Sequence, residues 1–260
     1  MNECHRIENE MNLILPNQAI LFIGTSGWTY DHWKGCFYPK DLPKKNWFDY
    51  YAAHFSAVEV NATFYRTFKD ETYQKWRERA PQGFGYVLKA PKLITHRKFL
   101  VEVEEDIKSF YRSCTILGDK FEMILLQVAP NTPCDLKRLQ RALHAFPDPG
   151  RVAVEFRRPE WLNQNTFSLL KEVGAGICNV DSPQQTLTAH ITSSRAYLRL
   201  HGRKHWYSYN YSDAELREIA SLAQKLVEKG ANRLYIFFNN DFEGYAPANA
   251  LALHELLRVS

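Results

Sequence analysis

A series of short apolar segments in this 260-residue chain ends in polar side chains at alternating positions. Alternate side chains of an extended strand face opposite ways. In Val58-Glu59-Val60-Asn61 the valines take one face, and Glu59 and Asn61 the other. In Ala153-Val154-Glu155-Phe156-Arg157, Glu155 and Arg157 share the face of Ala153. In Leu198-Arg199-Leu200-His201, Arg199 and His201 oppose two leucines. The same phase sets Lys89 against Leu88, Gln127 against Leu126, Asp181 with Asn179, Asn239 with Phe237 and Ser26 with Gly24. If these polar faces converge, they would move protons beside a held anion. Glu59, Glu155, Asp181 and His201 are the candidates for proton transfer. Lys89, Arg157 and Arg199 would hold or stabilise negative charge. Ser26, Asn61, Gln127, Asn239 and Asn240 would orient the substrate. The inner charges nearly cancel, with Glu59, Glu155 and Asp181 against Lys89, Arg157 and Arg199. The bland alternative is a salt-bridged plug without chemistry, because charged residues are almost never buried unpaired.

The loops that follow these segments supply Trp28, Tyr65, His96 and Tyr209 as further binding residues. One stretch, from Ser182 to Ser212, contains no Asp or Glu. It carries Arg195, Arg199, Arg203 and Lys204, which equals the whole chain's formal charge of +4. Trp206, Tyr207, Tyr209 and Tyr211 are interleaved with it. Cations neutralise phosphate and aromatic faces stack on bases or sugars, so the stretch suits an anionic ligand with flat groups. Alternatively the aromatics only fold a long loop onto the body of the protein. There is no H-E-x-x-H, no P-loop and no G-x-S-x-G. No metal site and no cofactor is expected, although a divalent metal at the carboxylates stays open. Glu59 and Glu155 could also form a glycosidase-type carboxylate pair.

The segments that must position these residues alternate in character. Apolar runs lie near Ile20–Gly24, Ala57–Asn61, Gly85–Lys89, Met123–Gln127, Val152–Phe156, Gly176–Val180, Ala196–Leu200 and Leu234–Phe238. Amphipathic stretches separate most of them. The clearest helix runs from Asp213 to Lys229, with Ser212 and Glu215 as a capping box and Gly230 just past its end. Strands alternating with helices imply parallel pairing through right-handed crossovers. Eight such units point to a single (β/α)8 TIM-type barrel over residues 19–260, after an N-terminal tail over 1–18. The sixth helix, between Ser182 and Ser194, is expected to be short or degenerate. A doubly wound sheet is the alternative, but Gly24-Thr25-Ser26-Gly27 is no dinucleotide fingerprint. In a barrel the polar strand ends lie at the C-terminal face, where barrel enzymes hold their active sites.

Apolar residues make up 45% and charged residues 24%, which excludes a disordered or collagen-like chain. The five cysteines are odd in number and widely spaced, as expected for reduced thiols in the cytoplasm. Neither a secretory leader nor a membrane span is expected.

Ile23-Gly24-Thr25-Ser26-Gly27-Trp28, with Tyr30, Trp33, Gly35 and Phe37-Tyr38-Pro39, resembles the opening block of the YecE-like family, a family of unknown function. Val58 to Tyr65, Ala153 to Arg157 with Trp161, Leu198 to Gly202, and Phe238 to Asp241 with Gly244, Ala246 and Asn249 are similar to its later blocks. The resemblance covers roughly Ile20 to Leu257. It implies a TIM-type barrel and no established reaction. Arg158 departs from the histidine often found there and adds a positive charge at the rim.

The sequence therefore points to an enzyme acting on an anionic, phosphate-containing or nucleic-acid-like substrate. A carbohydrate-active enzyme using Glu59 and Glu155 is an alternative, as is a non-enzymatic nucleic-acid-binding module. A small anionic ligand or a nucleic acid is the expected partner, and a membrane is not.

Overall fold

The computed structural model describes residues 13–258. A short strand, β1 (Leu13–Leu15), lies within the stretch expected to be a tail and runs antiparallel to β2 (Ala19–Thr25). Next come α1 (Trp47–Ala52), β3 (Ala57–Val60), α2 (Ala62–Tyr65), α3 (Asp70–Arg79), β4 (Gly85–Lys89) and α4 (Glu104–Thr115). They are followed by β5 (Phe121–Gln127), α5 (Leu136–His144), β6 (Val152–Glu155), α6 (Gln164–Val173) and β7 (Gly176–Asp181). The chain continues with β8 (Arg195–Leu200), α7 (Asp213–Glu228), β9 (Arg233–Phe238) and α8 (Tyr245–Arg258). Residues 1–12, with Cys4 among them, lie outside the described residues.

Local chemistry sets the helix ends. The Ser212 side chain accepts from the Glu215 amide, and the Glu215 carboxylate accepts from the Ser212 amide, which starts α7. Asn163 caps α6 by accepting from the Thr166 amide at 3.0 Å. Gly174 ends α6 at φ 78°, a left-handed turn that costs glycine little. Each such cap is worth about 1 kcal/mol.

The sheet has nine strands in the order β1-β2-β9-β8-β7-β6-β5-β4-β3, parallel from β2 onward. This corrects the expectation of a closed (β/α)8 barrel. The sheet is curled and mixed, a half-barrel in which no backbone ladder joins β2 to β3. Side chains bridge that seam instead. The Ile23 amide donates to the Ser56 hydroxyl at 3.1 Å, and the Thr25 amide to the Tyr51 hydroxyl at 2.8 Å. Tyr51 in turn donates to the Ala57 carbonyl at 3.0 Å. The approach is close at Gly24, where a Cβ would fall 2.0 Å from the Ala57 carbonyl oxygen. No helix forms between β7 and β8; the Ser182–Ser194 segment carries only a bridge from Ser182 to Gln185.

Two apolar layers result. Leu198, Leu200, Ile236 and their counterparts pack outward against the helices. Phe22, Val87, Leu125, Ala153, Tyr197 and Phe237 fill the concave interior. The polar strand ends continue this inner layer at its C-terminal end.

Candidate functional site

Tyr197, Arg199 and His201 alternate along β8 and just beyond it, so all three enter the interior. Arg199 is the centre of the cluster and only 1% exposed. Its Nε donates to both Glu59 oxygens at 3.0 Å, and its Nη2 donates to Oε1 at 2.8 Å. Its Nη1 donates to Glu155 Oε2 at 3.1 Å. Glu59 also accepts from the Ser26 and Tyr197 hydroxyls, each at 2.7 Å. Glu155 accepts from Gln127 Nε2 at 2.7 Å and pairs with Arg157 Nε at 2.6 Å. Asn61 Oδ1 lies 3.5 Å from Arg199 Nη2. The cluster thus gathers side chains from the ends of β2, β3, β5, β6 and β8.

Burial alone would raise the Glu59 carboxyl. The Arg199 charge and the hydrogen bonds from Arg199, Ser26 and Tyr197 outweigh it and hold Glu59 below the ordinary carboxylate range. Glu155 is likewise buried yet held far down, by Arg157 and Arg199. Both glutamates are ionised at neutral pH, so neither is poised as the protonated acid that glycoside cleavage needs.

Burial and the Arg199 charge push His201 well below its usual range, so the ring is neutral. Its Nε2 faces Arg199 Nη1 at 3.2 Å and Arg157 Nη2 at 3.5 Å, both donors. A lone pair must therefore stand at Nε2 and the proton at Nδ1. The Asn239 amide lies 2.9 Å from Nδ1. The amide atom there is Nδ2; with the proton on Nδ1 the amide must turn so that its oxygen accepts.

Lys89 closes β4 and is 7% exposed. Its Nζ lies 4.3 Å from the Phe64 ring centroid and makes no ion pair or hydrogen bond among the described residues. Burial lowers its amine, and the Arg199 charge adds to this, bringing it to about 7. His96, half-buried, is lowered by burial and then by Lys89. Its ring meets Phe64 edge-on at 4.9 Å, and its Nδ1 lies 2.8 Å from the Thr95 hydroxyl.

A cleft of about 450 Å³ opens at the end of the seam. Ser26, Trp28, Tyr30, Asn61, Arg66 and Trp76 line it. On the opposite rim Arg157 stacks over Trp206 at 4.9 Å. Tyr207 is 45% exposed at φ 65°, a backbone region costly for an aromatic residue. Its amide donates to the His201 carbonyl at 2.9 Å, which straps the rim to the cluster.

The structure brings together Ser26, Glu59, Asn61, Gln127, Glu155, Arg157, Arg199, His201 and Asn239 at the C-terminal mouth of the interior, with Lys89 and His96 packed on Phe64 and Trp28 in the cleft. It does not bring in the rest. Asp181 is a correction: on β7 it is Cys178 and Val180 that face the interior, so Asp181 and Asn179 face out. There Asp181 accepts from Arg203 Nε at 3.1 Å. Asn240 donates to the Tyr209 carbonyl at 2.7 Å and to Asn249 Oδ1 at 2.8 Å. Tyr209 donates to Glu215 at 2.6 Å. Asn240 and Tyr209 therefore pin a loop to α7 and α8. Tyr65 projects outward, 69% exposed. Sequence reasoning missed Tyr197 and Phe64 as parts of the site. Tyr197 was visible as the residue two before Arg199, in phase with it.

Among the described residues no cluster of three or more His, Cys, Asp or Glu is arranged to hold a metal ion.

Residues 22–260 match the family described as "Protein of unknown function DUF72". The chain belongs to the DUF72 family. The YecE-like membership expected from the motif blocks is therefore shown. The chain is 26% identical over 273 residues to the UPF0759 protein YunF of Bacillus subtilis, spanning 92% of this chain and 95% of YunF. It is 27% identical over 143 residues to the UPF0759 protein YecE of Escherichia coli, spanning 55% of this chain and 50% of YecE. A crystal structure of a DUF72 family protein from Thermotoga maritima matches with a TM-score of 0.83 at 27% identity, covering 91% of this chain and 98% of that one. Another, from Enterococcus faecalis, matches at 0.78 and 23% identity, covering 92% and 96%, and shows the shared fold.

Proposed function

We propose that the mouth binds a small anionic organic molecule, bearing phosphate or carboxylate, and acts on it as an enzyme. One observation carries this reading. With Asp181 facing out, the interior holds Glu59 and Glu155 against Lys89, Arg157 and Arg199; both glutamates pair with the arginines, and Lys89 makes no ion pair among the described residues. A buried cation without a partner is costly. An incoming anion supplies that partner and restores the charge on Lys89. Arg157, whose side chain is 18% exposed and whose charge reaches Lys89, gives the second contact. Trp206 and Tyr207 supply flat faces for a ring or base. Arg199 is occupied by the glutamates and acts as the frame that fixes them. The free thiols of Cys36, Cys114, Cys134 and Cys178 support a reducing, cytoplasmic setting.

Thermal unfolding with inorganic phosphate, glucose 6-phosphate, AMP and a short oligonucleotide tests the reading. A small phosphate compound should raise Tm in the wild type and not in Lys89→Met. The exposed Arg158, paired with Glu160, serves as a control, and Arg158→Ala should respond like the wild type. No shift with any anion, or an equal shift in Lys89→Met, would overturn it. A shift with the oligonucleotide alone would favour the nucleic-acid-binding module.

A further inference from the structure

Lys89 differs from Arg157 and Arg199 in more than its missing partner. A guanidinium stays protonated, whereas an amine can give up its proton and become a nucleophile. Every charged group facing Lys89 can be named. Arg199 and Arg157 repel its ammonium form, Glu155 and Glu59 favour it, and His96 is neutral beside it. Both glutamates are turned to the arginines, so neither hydrogen-bonds Lys89 and their attraction only partly offsets the repulsion and the burial. The Phe64 ring lies 4.3 Å from the amine on one side, and the residue keeps 7% of its surface exposed. Burial beside a second cation is the arrangement that activates lysine nucleophiles.

We propose that Lys89 forms a covalent imine with an aldehyde or keto group of the bound anion. The inference rests on the anion-binding reading above. The amine lone pair attacks the carbonyl carbon, a C–N bond forms, and the π pair moves to oxygen. That oxygen takes the two protons the nitrogen releases and leaves as water, giving C=N. Amine plus carbonyl becomes imine plus water, with no change in oxidation state. Protonated, the imine draws electrons from the neighbouring carbon, which is the use an enzyme makes of such a linkage.

Reductive trapping tests this directly. The intact protein is incubated at pH 7 with pyruvate or glyceraldehyde 3-phosphate and cyanoborohydride, then mapped by peptide mass spectrometry. An ordinary lysine near 10.4 exposes about a thousandfold less free amine at pH 7 than Lys89 does. Labelling should therefore favour Lys89 at least tenfold over any other lysine. The preference should shrink as pH rises toward 10, and the adduct should be absent in Lys89→Arg. Uniform labelling, or labelling centred elsewhere, would overturn the inference. Inorganic phosphate separates the two claims. Phosphate that raises Tm while Lys89 stays unlabelled leaves the anion site standing and removes the imine. Labelling of Lys89 that phosphate fails to suppress removes the anion site and leaves the reactive amine.

Discussion

At the N-terminal end of the interior, Glu122 accepts from the Tyr235 hydroxyl at 2.6 Å and from Arg233 Nη1 at 2.8 Å. Tyr235 stacks on Phe22 at 5.0 Å beneath it. Gly85 makes the room, since a Cβ there would fall 2.6 Å from Glu122 Cγ. Arg233 keeps 33% of its side chain in water. At the C-terminal end the same residue types, glutamate, arginine and tyrosine, are almost fully buried, and a lysine is added that makes no ion pair among the described residues. The floor reads as a plug because each charge is met or solvated. The mouth differs by one unmatched buried cation, and that difference argues for a ligand.

The comparison would break first at Arg199. Arg199→Met strands Glu59 without a cation and weakens the hold on Glu155. It should cost about 3–5 kcal/mol in urea unfolding. Glu122→Gln at the floor should cost about 1 kcal/mol, because Arg233 can turn to solvent. Equal losses would mean the two ends are the same kind of plug.

A pH series sharpens the same contrast. Lys89 falls to about 7 in the folded chain, whereas an unfolded lysine titrates near 10.5. Between these values the unfolded chain binds more protons, so stability rises with pH. The wild type should gain on Lys89→Met across that window by on the order of 3 kcal/mol. His201 is held neutral, so below about pH 6.5 the unfolded chain again binds more protons and stability falls. The lowered Glu59 and Glu155 extend that fall below about pH 4.5.

Smaller effects lie at the rim. Arg157→Ala should weaken phosphate binding about tenfold by titration calorimetry, with Glu155 still held by Arg199 and Gln127. At Tyr207, glycine relieves the positive φ that alanine keeps. Tyr207→Gly should therefore be about 1 kcal/mol more stable than Tyr207→Ala in urea unfolding.

The strands themselves were legible, because alternation around Glu59, Glu155 and Arg199 is strong and local. Closure was not. It depends on whether β2 and β3 share a ladder, and here Ser56 and Tyr51 take those hydrogen bonds. The phase of β7 was misread for a related reason. Cys178 and Val180 resemble Asn179 and Asp181 in size, and only the neighbouring strands decide which pair turns inward. Its place at a strand end suggests catalysis for Asp181, but Arg203 holds it outside the interior. The near-neutral interior expected from composition became cationic by that one reversal. The loop pins at Tyr209 and Asn240 depend on α7 and α8, far away in sequence, and carried no local signal.

The central claim is that Lys89 lowers the stability of the empty protein in order to meet an anion. Thermal unfolding of the wild type and Lys89→Met at pH 7, with and without inorganic phosphate, tests it most directly. The account predicts that Lys89→Met unfolds at a higher temperature without phosphate, and that phosphate raises Tm only in the wild type. A less stable variant, or the same phosphate shift in both proteins, would contradict it.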